Sequence, residues 1–174
     1  AQNKLWVIAD EIYQNLVYED MTPGSHAVSI GEAAPELVDR LILVNGVAKT
    51  YAMTGWRVGW MVGPEKPIKA AANLQSHLTS NVSNISQIAA LAALTGDQSE
   101  AFGMRQAFNS RRQIIVSELN AIPGLVCPEP TGAFYVYPDV TGILGQTFGG
   151  ATPTTSLELA DLLLDRCEVA VVPG

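Results

Sequence analysis

Three short apolar runs set the strongest limit on what this chain can fold into: Leu5-Trp-Val-Ile-Ala9, Leu41-Ile-Leu-Val44 and Val58-Gly-Trp-Met-Val62. Each is shorter than an ordinary helix and lacks the alternation of a half-exposed strand, the pattern of strands buried on both faces of a sheet. Roughly thirty residues separate the first two runs, enough for a crossover, so they are expected to be parallel neighbours. Only about a dozen separate the second from the third, too few for a covered crossover, so the third is expected to run antiparallel. This arrangement puts Asp10 just past the carboxyl end of one strand and Lys49 beyond the carboxyl end of the next. Arg57 opens the strand running back from that same edge, where open α/β sheets bind ligands.

Lys49 and Arg57 need a reason to stand between two core strands, because burying a cation without a partner is costly. Each of the three residues also has an unremarkable reading. Lys49 serves as an ordinary loop lysine, Arg57 as a strand-end charge, and Asp10 as a brace for the turn that follows it. Spacing alone leaves both readings open.

The rest of the composition narrows the partners. Seventeen acidic residues against ten basic give a net charge of −7 with no basic cluster, so nucleic acid is not an expected partner. No apolar run approaches the ~18–20 residues of a membrane span. Cys127 and Cys167 lie far apart without metal-type spacing and are expected to be buried thiols in a reducing compartment, with no metal site. His26 and His77 have no identifiable partners in the sequence.

Beyond the strands, turn signals at Thr22-Pro-Gly-Ser25 precede a short helix-compatible piece near Glu32 to Leu37. Helices are expected from Pro64 to about Leu78, with Pro67 in the opening turn, and from Ile85 to Leu94, capped by Ser83 or Asn84 and ended by Gly96. A long helix follows from about Ser99 to Ala121. Phe102, Ala107, Phe108, Ile114, Ile115 and Leu119 are its candidate core residues, and Arg105, Arg111 and Arg112 are expected on a solvated face. After Pro123-Gly124, strands at Leu125-Val126, Ala133 to Tyr137 and Val169 to Val172 and a helix from Ser156 to Cys167 describe an α+β unit, with Gly142 to Thr155 as an exposed loop.

The fold class is therefore α/β: part of a large domain with a mixed, mostly parallel sheet and helices, plus part of a smaller α+β C-terminal domain. Residues 1–97 are assigned to the large domain and 98–174 to the small one, with the boundary near Gly96 to Ser99 or inside the long helix. Strand-like runs close to both ends are the pattern expected of an internal piece of a longer protein.

Asp10-Glu-Ile-Tyr13 after an apolar strand, followed by Asn45-Gly-Val-Ala-Lys-Thr-Tyr-Ala-Met-Thr-Gly-Trp-Arg-Val-Gly59, resembles the fold-type I pyridoxal-phosphate aminotransferases, and within them the bacterial aspartate aminotransferase subgroup. Pro130-Thr-Gly-Ala-Phe-Tyr135 and Val169-Ala-Val-Val-Pro-Gly174 resemble two further segments of that family, in the family's order. The similarity covers essentially all 174 residues.

The resemblance implies pyridoxal 5'-phosphate as cofactor and transamination between an amino acid and a 2-oxo acid, with aspartate and 2-oxoglutarate as the leading pair. It implies that Lys49 forms the Schiff base and is the catalytic residue, that Asp10 lies against the ring nitrogen, that Tyr13 reaches the phenolic oxygen and that Arg57 pairs with the phosphate. Phe134 is a weaker candidate for the substrate pocket, and an ordinary core aromatic is the competing reading. Ser80 and Asn81 match a segment that approaches the partner subunit's site in relatives, although helix breaking and capping accounts for them equally well. Ala48 stands where some relatives carry a hydroxyl beside the lysine. The family's glycine-containing phosphate loop, the aromatic stacked on the ring and the arginine for the substrate α-carboxylate have no counterpart here. The resemblance therefore implies a cytoplasmic, homodimeric full-length parent that holds the activity and an inactive isolated piece. A β-lyase or other chemistry with the same cofactor, and a non-catalytic effector-binding module, are the alternatives it leaves.

Overall fold

The computed structural model describes residues 5–174. Contacts divide the chain into two units, Ala1–Phe108 with Thr131–Ala133, and Asn109–Pro130 with Phe134–Gly174.

The first unit is built on three strands, β1 (Val7–Asp10), β2 (Leu41–Gly46) and β3 (Gly59–Val62), in the order β1-β2-β3. β1 and β2 are parallel, with Val7 opposite Leu41 and Asp10 opposite Val44. The segment between them holds a one-turn helix, α1 (Ile30–Ala33), and a 3-10 stretch, Pro35–Arg40. β3 runs antiparallel to β2, with Leu43 opposite Val62 and Gly46 opposite Gly59. Both strand directions match those the connection lengths require. The paired glycines let the two strands meet at this end: a Cβ on Gly46 would lie 2.8 Å from the Val58 carbonyl oxygen, and one on Gly59 3.0 Å from that of Asn45.

The expectation that all three strands are buried on both faces does not hold within this chain. Only β2 carries buried residues, Leu41, Ile42 and Gly46, with Val47 fully buried behind it. Ile8 in β1 is 70% exposed, and β3 is exposed along its length. Apolar composition records what a strand requires on its two faces, and the described residues cover only part of that requirement.

The helices form where periodicity puts them: α2 (Glu65–Leu78), α3 (Asn84–Thr95), α4 (Ser99–Asn120) and, in the second unit, α5 (Ser156–Cys167). Pro67 sits in the first turn of α2, where its missing N–H costs nothing. Gly96 ends α3, its N–H donating to the Ala92 carbonyl at 2.9 Å. The Asp97 carboxylate accepts the Ser99 hydroxyl and N–H at 2.6 and 3.0 Å, and these bonds hold its pKa below the usual carboxylate range.

Two expectations for α4 are corrected. Arg105 is buried at 3% exposure and Arg112 is largely covered, so only Arg111 lies on a solvated face. Positions 105 and 112 are two helical turns apart on the inward stripe, while 111 points elsewhere. Conversely, Ala107, Ile114 and Ile115 are exposed, whereas Phe102, Phe108 and Leu119 are half-buried.

In the second unit, the strands expected at Leu125-Val126, Ala133 to Tyr137 and Val169 to Val172 are not formed. Of these segments Val126 keeps an isolated antiparallel bridge to Asp139, and a second such bridge in the unit joins Phe148 and Ala151. A strand needs a hydrogen-bonding neighbour as well as propensity, and a β-rich composition cannot supply one. The Asn120 side chain partly substitutes, bonding both the N–H and the carbonyl of Cys127 at 2.8 and 3.0 Å. Cys127 is buried and its thiol pKa is pushed up by that burial, whereas Cys167, at the end of α5, is exposed and not the buried thiol expected.

Candidate active site

The strand register brings the carboxyl ends of β1 and β2 and the start of β3 to one edge of the sheet. Asp10 is the last residue of β1; its side chain is exposed, and Oδ1 accepts the Ile12 N–H at 3.1 Å. One residue on, the Glu11 N–H donates to the Val44 carbonyl at 2.8 Å and extends the ladder into the turn. The Glu11 carboxylate accepts the Ser29 hydroxyl at 2.8 Å and the Ile30 N–H at 3.1 Å, which fixes the turn against the start of α1. Tyr13 is half-buried in this turn.

Lys49 lies three residues beyond β2, in a turn anchored by buried Val47, whose N–H donates to the Val58 carbonyl at 3.3 Å. Its Nζ stands 5.8 Å from the centroid of the Tyr13 ring. The negative ring face favours a cation there. Two of the residues singled out in the sequence are thus side-chain neighbours despite 36 positions between them.

Arg57 enters from the third strand. It follows the 3-10 turn Thr54–Trp56 and adopts a left-handed backbone with φ +56°. Its guanidinium is exposed, and Nη1 donates to the Thr54 carbonyl at 2.8 Å. Phe134 belongs to the second unit, 38% exposed, its ring 5.0 Å from that of Tyr135.

A cleft of about 560 Å³ opens beside the rim, lined in part by Asp10, Tyr13, Gln14, His26, Gly132 and Ala133. Two residues that the sequence did not single out shape its walls. Tyr18 is buried; its hydroxyl donates to the Ala133 carbonyl and its N–H to that of Thr131 at 2.9 Å. Arg105 donates through Nη1 to the Ser25 carbonyl and hydroxyl at 2.8 and 3.0 Å, and through Nη2 to the Thr22 carbonyl. It thereby holds the loop that carries Asp20, Ser25 and His26. The Asp20 carboxyl lies below its ordinary pKa, chiefly because the Thr22 N–H donates to it, with a smaller contribution from Arg105. Gln14 and Asn45 were also missed, and they join the two turns of the rim: Asn45 Nδ2 donates to Gln14 Oε1 at 3.3 Å. Nothing in the local sequence of these residues announces a role, because their partners lie far along the chain.

The sequence matches the family model for aminotransferase class I and II over residues 1–174. It is 57% identical over its whole length to an aspartate aminotransferase of Streptomyces avermitilis, and 44% identical over 172 residues to an aspartate/prephenate aminotransferase of Cereibacter sphaeroides. It spans about 42% of the length of each of these relatives. Among solved structures it is similar to the aspartate aminotransferase of Rhizobium meliloti, with a TM-score of 0.87 and 41% identity across 97% of this chain and 41% of that one. The aromatic aminotransferase of Pyrococcus horikoshii gives a TM-score of 0.83 and 33% identity across 99% of this chain and 43% of that one. A family match over every residue, a shared α/β fold and identities above 40% make this chain a member of the aminotransferase class I and II family.

Proposed function

We propose that the full-length protein containing this segment is a pyridoxal 5'-phosphate-dependent transaminase that exchanges an amino group between aspartate and 2-oxoglutarate, and that this segment supplies its lysine, carboxylate, phenol and phosphate-binding arginine. The observation that carries the reading is the 5.8 Å approach of Lys49 Nζ to the Tyr13 ring, beside the sheet edge at which β1 ends with Asp10 and where Arg57 precedes β3. An amine, a phenol, a carboxylate and a guanidinium suit a ligand with an aldehyde, a phenolic oxygen, a ring nitrogen and a phosphate. Both curated relatives described above carry aspartate in their names, which supports the choice of donor.

When bound, the cofactor supplies an electrophilic aldehyde and an electron-withdrawing ring that stabilises negative charge at the substrate α-carbon. Lys49 Nζ would hold it covalently, and its amine would move the proton at that carbon. Asp10, exposed at the end of β1, keeps the ring nitrogen protonated. Tyr13 would donate a hydrogen bond to the phenolic oxygen, and Arg57 would bind the phosphate with a planar fork that lysine cannot reproduce. A homodimer in the cytoplasm completes the reading.

The test is borohydride reduction of the full-length, cofactor-loaded protein followed by peptide mapping. The label is expected on Lys49; a label on any other lysine overturns the assignment. Coupled assays are expected to detect oxaloacetate formed from aspartate, whereas pyruvate with free ammonia would indicate β-lyase chemistry instead. Asp10→Asn is expected to retain the cofactor's absorbance and to lower kcat by on the order of 10²–10⁴-fold.

A further inference from the structure

The separation between the Tyr13 turn and the Lys49 turn has to be set by something. The β1–β2 ladder reaches as far as the bond from Glu11 N–H to the Val44 carbonyl; past it the Tyr13 turn leaves β1, while β2 runs on through Asn45 and Gly46, paired only with β3. At that point the Asn45 side chain, part-buried, donates from Nδ2 to Gln14 Oε1 at 3.3 Å. The other oxygen of the clasp is also used: Asn45 Oδ1 accepts the Gly46 N–H at 2.7 Å, which orients the amide. Gln14 is itself held on its far side. Its Nε2 donates to the Ala27 carbonyl at 3.5 Å, and its own carbonyl accepts the Ala27 N–H at 2.8 Å. Packing runs in parallel, since Ile12 Cδ1 would lie 3.3 Å from a Cβ placed on Gly46. One amide pair therefore joins three segments: the turn carrying Asp10 and Tyr13, the end of β2 that leads to Lys49, and the loop at residues 26–28 along the cleft.

We propose that Gln14 and Asn45 are positioning residues for the Lys49 centre, a side-chain clasp that fixes the distance between the Tyr13 and Lys49 turns. The inference rests on the function proposed above. Two amides suit the task because each both donates and accepts, so the pair forms its cross-link and still satisfies the backbone groups on either side. Neither touches the reacting atoms. Their effect is on placement, and displacements of about 1 Å at a reacting centre cost up to ~10²-fold in rate.

The test uses the full-length protein loaded with pyridoxal 5'-phosphate and four variants: Gln14→Met, Asn45→Ala, the double variant, and Gln14→Glu. Visible circular dichroism per unit of cofactor absorbance reports how the bound chromophore is oriented, and thermal unfolding is measured beside it. Both single variants are expected to weaken that signal and to lower kcat by on the order of 10- to 100-fold with KM unchanged. The double variant is expected to be no worse than either single one, because the pair acts as a unit. Gln14→Glu keeps an acceptor for Asn45 Nδ2 but loses the donor to the Ala27 carbonyl, and is expected to retain more of both signal and kcat than Gln14→Met. A lower Tm with the dichroism and kcat unchanged would reduce the pair to a structural role and overturn the proposal, as would additive losses in the double variant. Borohydride labelling separates the two levels. A label away from Lys49 defeats the functional reading, whereas a label on Lys49 with unchanged dichroism defeats only the clasp.

Discussion

Arg57 shows how one residue serves conflicting demands. A left-handed backbone costs a residue with a Cβ roughly 1–2 kcal/mol, yet arginine occupies φ +56° at the end of the Thr54–Trp56 turn. In the proposed site the guanidinium compensates for that strain through the phosphate. Replacing Arg57 with Gly or with Ala is therefore expected to weaken cofactor binding alike, by about 10-fold or more for the loss of a charged hydrogen bond. The Gly variant is expected to be more stable than the Ala variant by about 1 kcal/mol, measured by urea unfolding. Equal stability of the two would remove the strain argument. Arg105 presents a buried version of the same chemistry. Arg105→Met removes the charged donor shared by the Thr22 and Ser25 carbonyls and the Ser25 hydroxyl and is expected to cost about 1.5–3 kcal/mol by the same measurement. The sequence could not distinguish Arg105 from Arg111, because the difference lies in what each side of α4 faces.

At the scale of elements, the helices were the most legible part of the chain. α5 begins and ends where its sequence signals put it, since its start is written locally: Thr155 Oγ1 accepts the Glu158 N–H at 3.2 Å, and the Glu158 carboxylate accepts the Thr154 N–H and hydroxyl. These bonds, first the backbone one and then the hydroxyl, hold the Glu158 pKa below its ordinary 4.5. The folded state then binds that proton less readily than the unfolded chain. The stabilising contribution is complete above the ordinary value and is lost as pH falls through the folded value. Glu158→Gln is expected to remove this part of the acid sensitivity, seen as a smaller fall in Tm between neutral and acid pH. Thr155→Ala is expected to cost about 1 kcal/mol at neutral pH. The strands of the second unit were misread for a complementary reason. Val169 to Val172 has strand propensity, but a ladder is a property of two segments, and the described residues give it no partner.

For the whole molecule, the exposed apolar surface is the dominant feature. Ile8 and Val62 on the sheet, Ile85, Ile88 and Leu91 on α3, and Val172 near the carboxyl end are all largely accessible. Exposed apolar side chains in this number promote association, and the edge strands of the sheet add a template for it. The 174-residue chain by itself is expected to self-associate at micromolar concentration, detected as concentration-dependent light scattering, while the full-length protein at equal concentration does not. A chain that stays monodisperse alone would show that these faces need no cover.

The sequence by itself determined the direction of all three strands, the span of the long helices and the sheet edge at which β1 ends with Asp10 and β2 leads on to Lys49. Each follows from local signals: connection length decides parallel from antiparallel, periodicity and caps decide helices, and the position of a residue relative to its strand end decides which edge it occupies. Only the tertiary structure decided which apolar faces are covered, which arginines of α4 are inside, that the Asn45 and Gln14 amides meet, and that buried Tyr18 bonds the carbonyls of Thr131 and Ala133. Burial and hydrogen bonding join residues far apart in the chain, such as Tyr18 and Ala133 or Arg105 and Thr22, and no window along the sequence contains both members of such a pair.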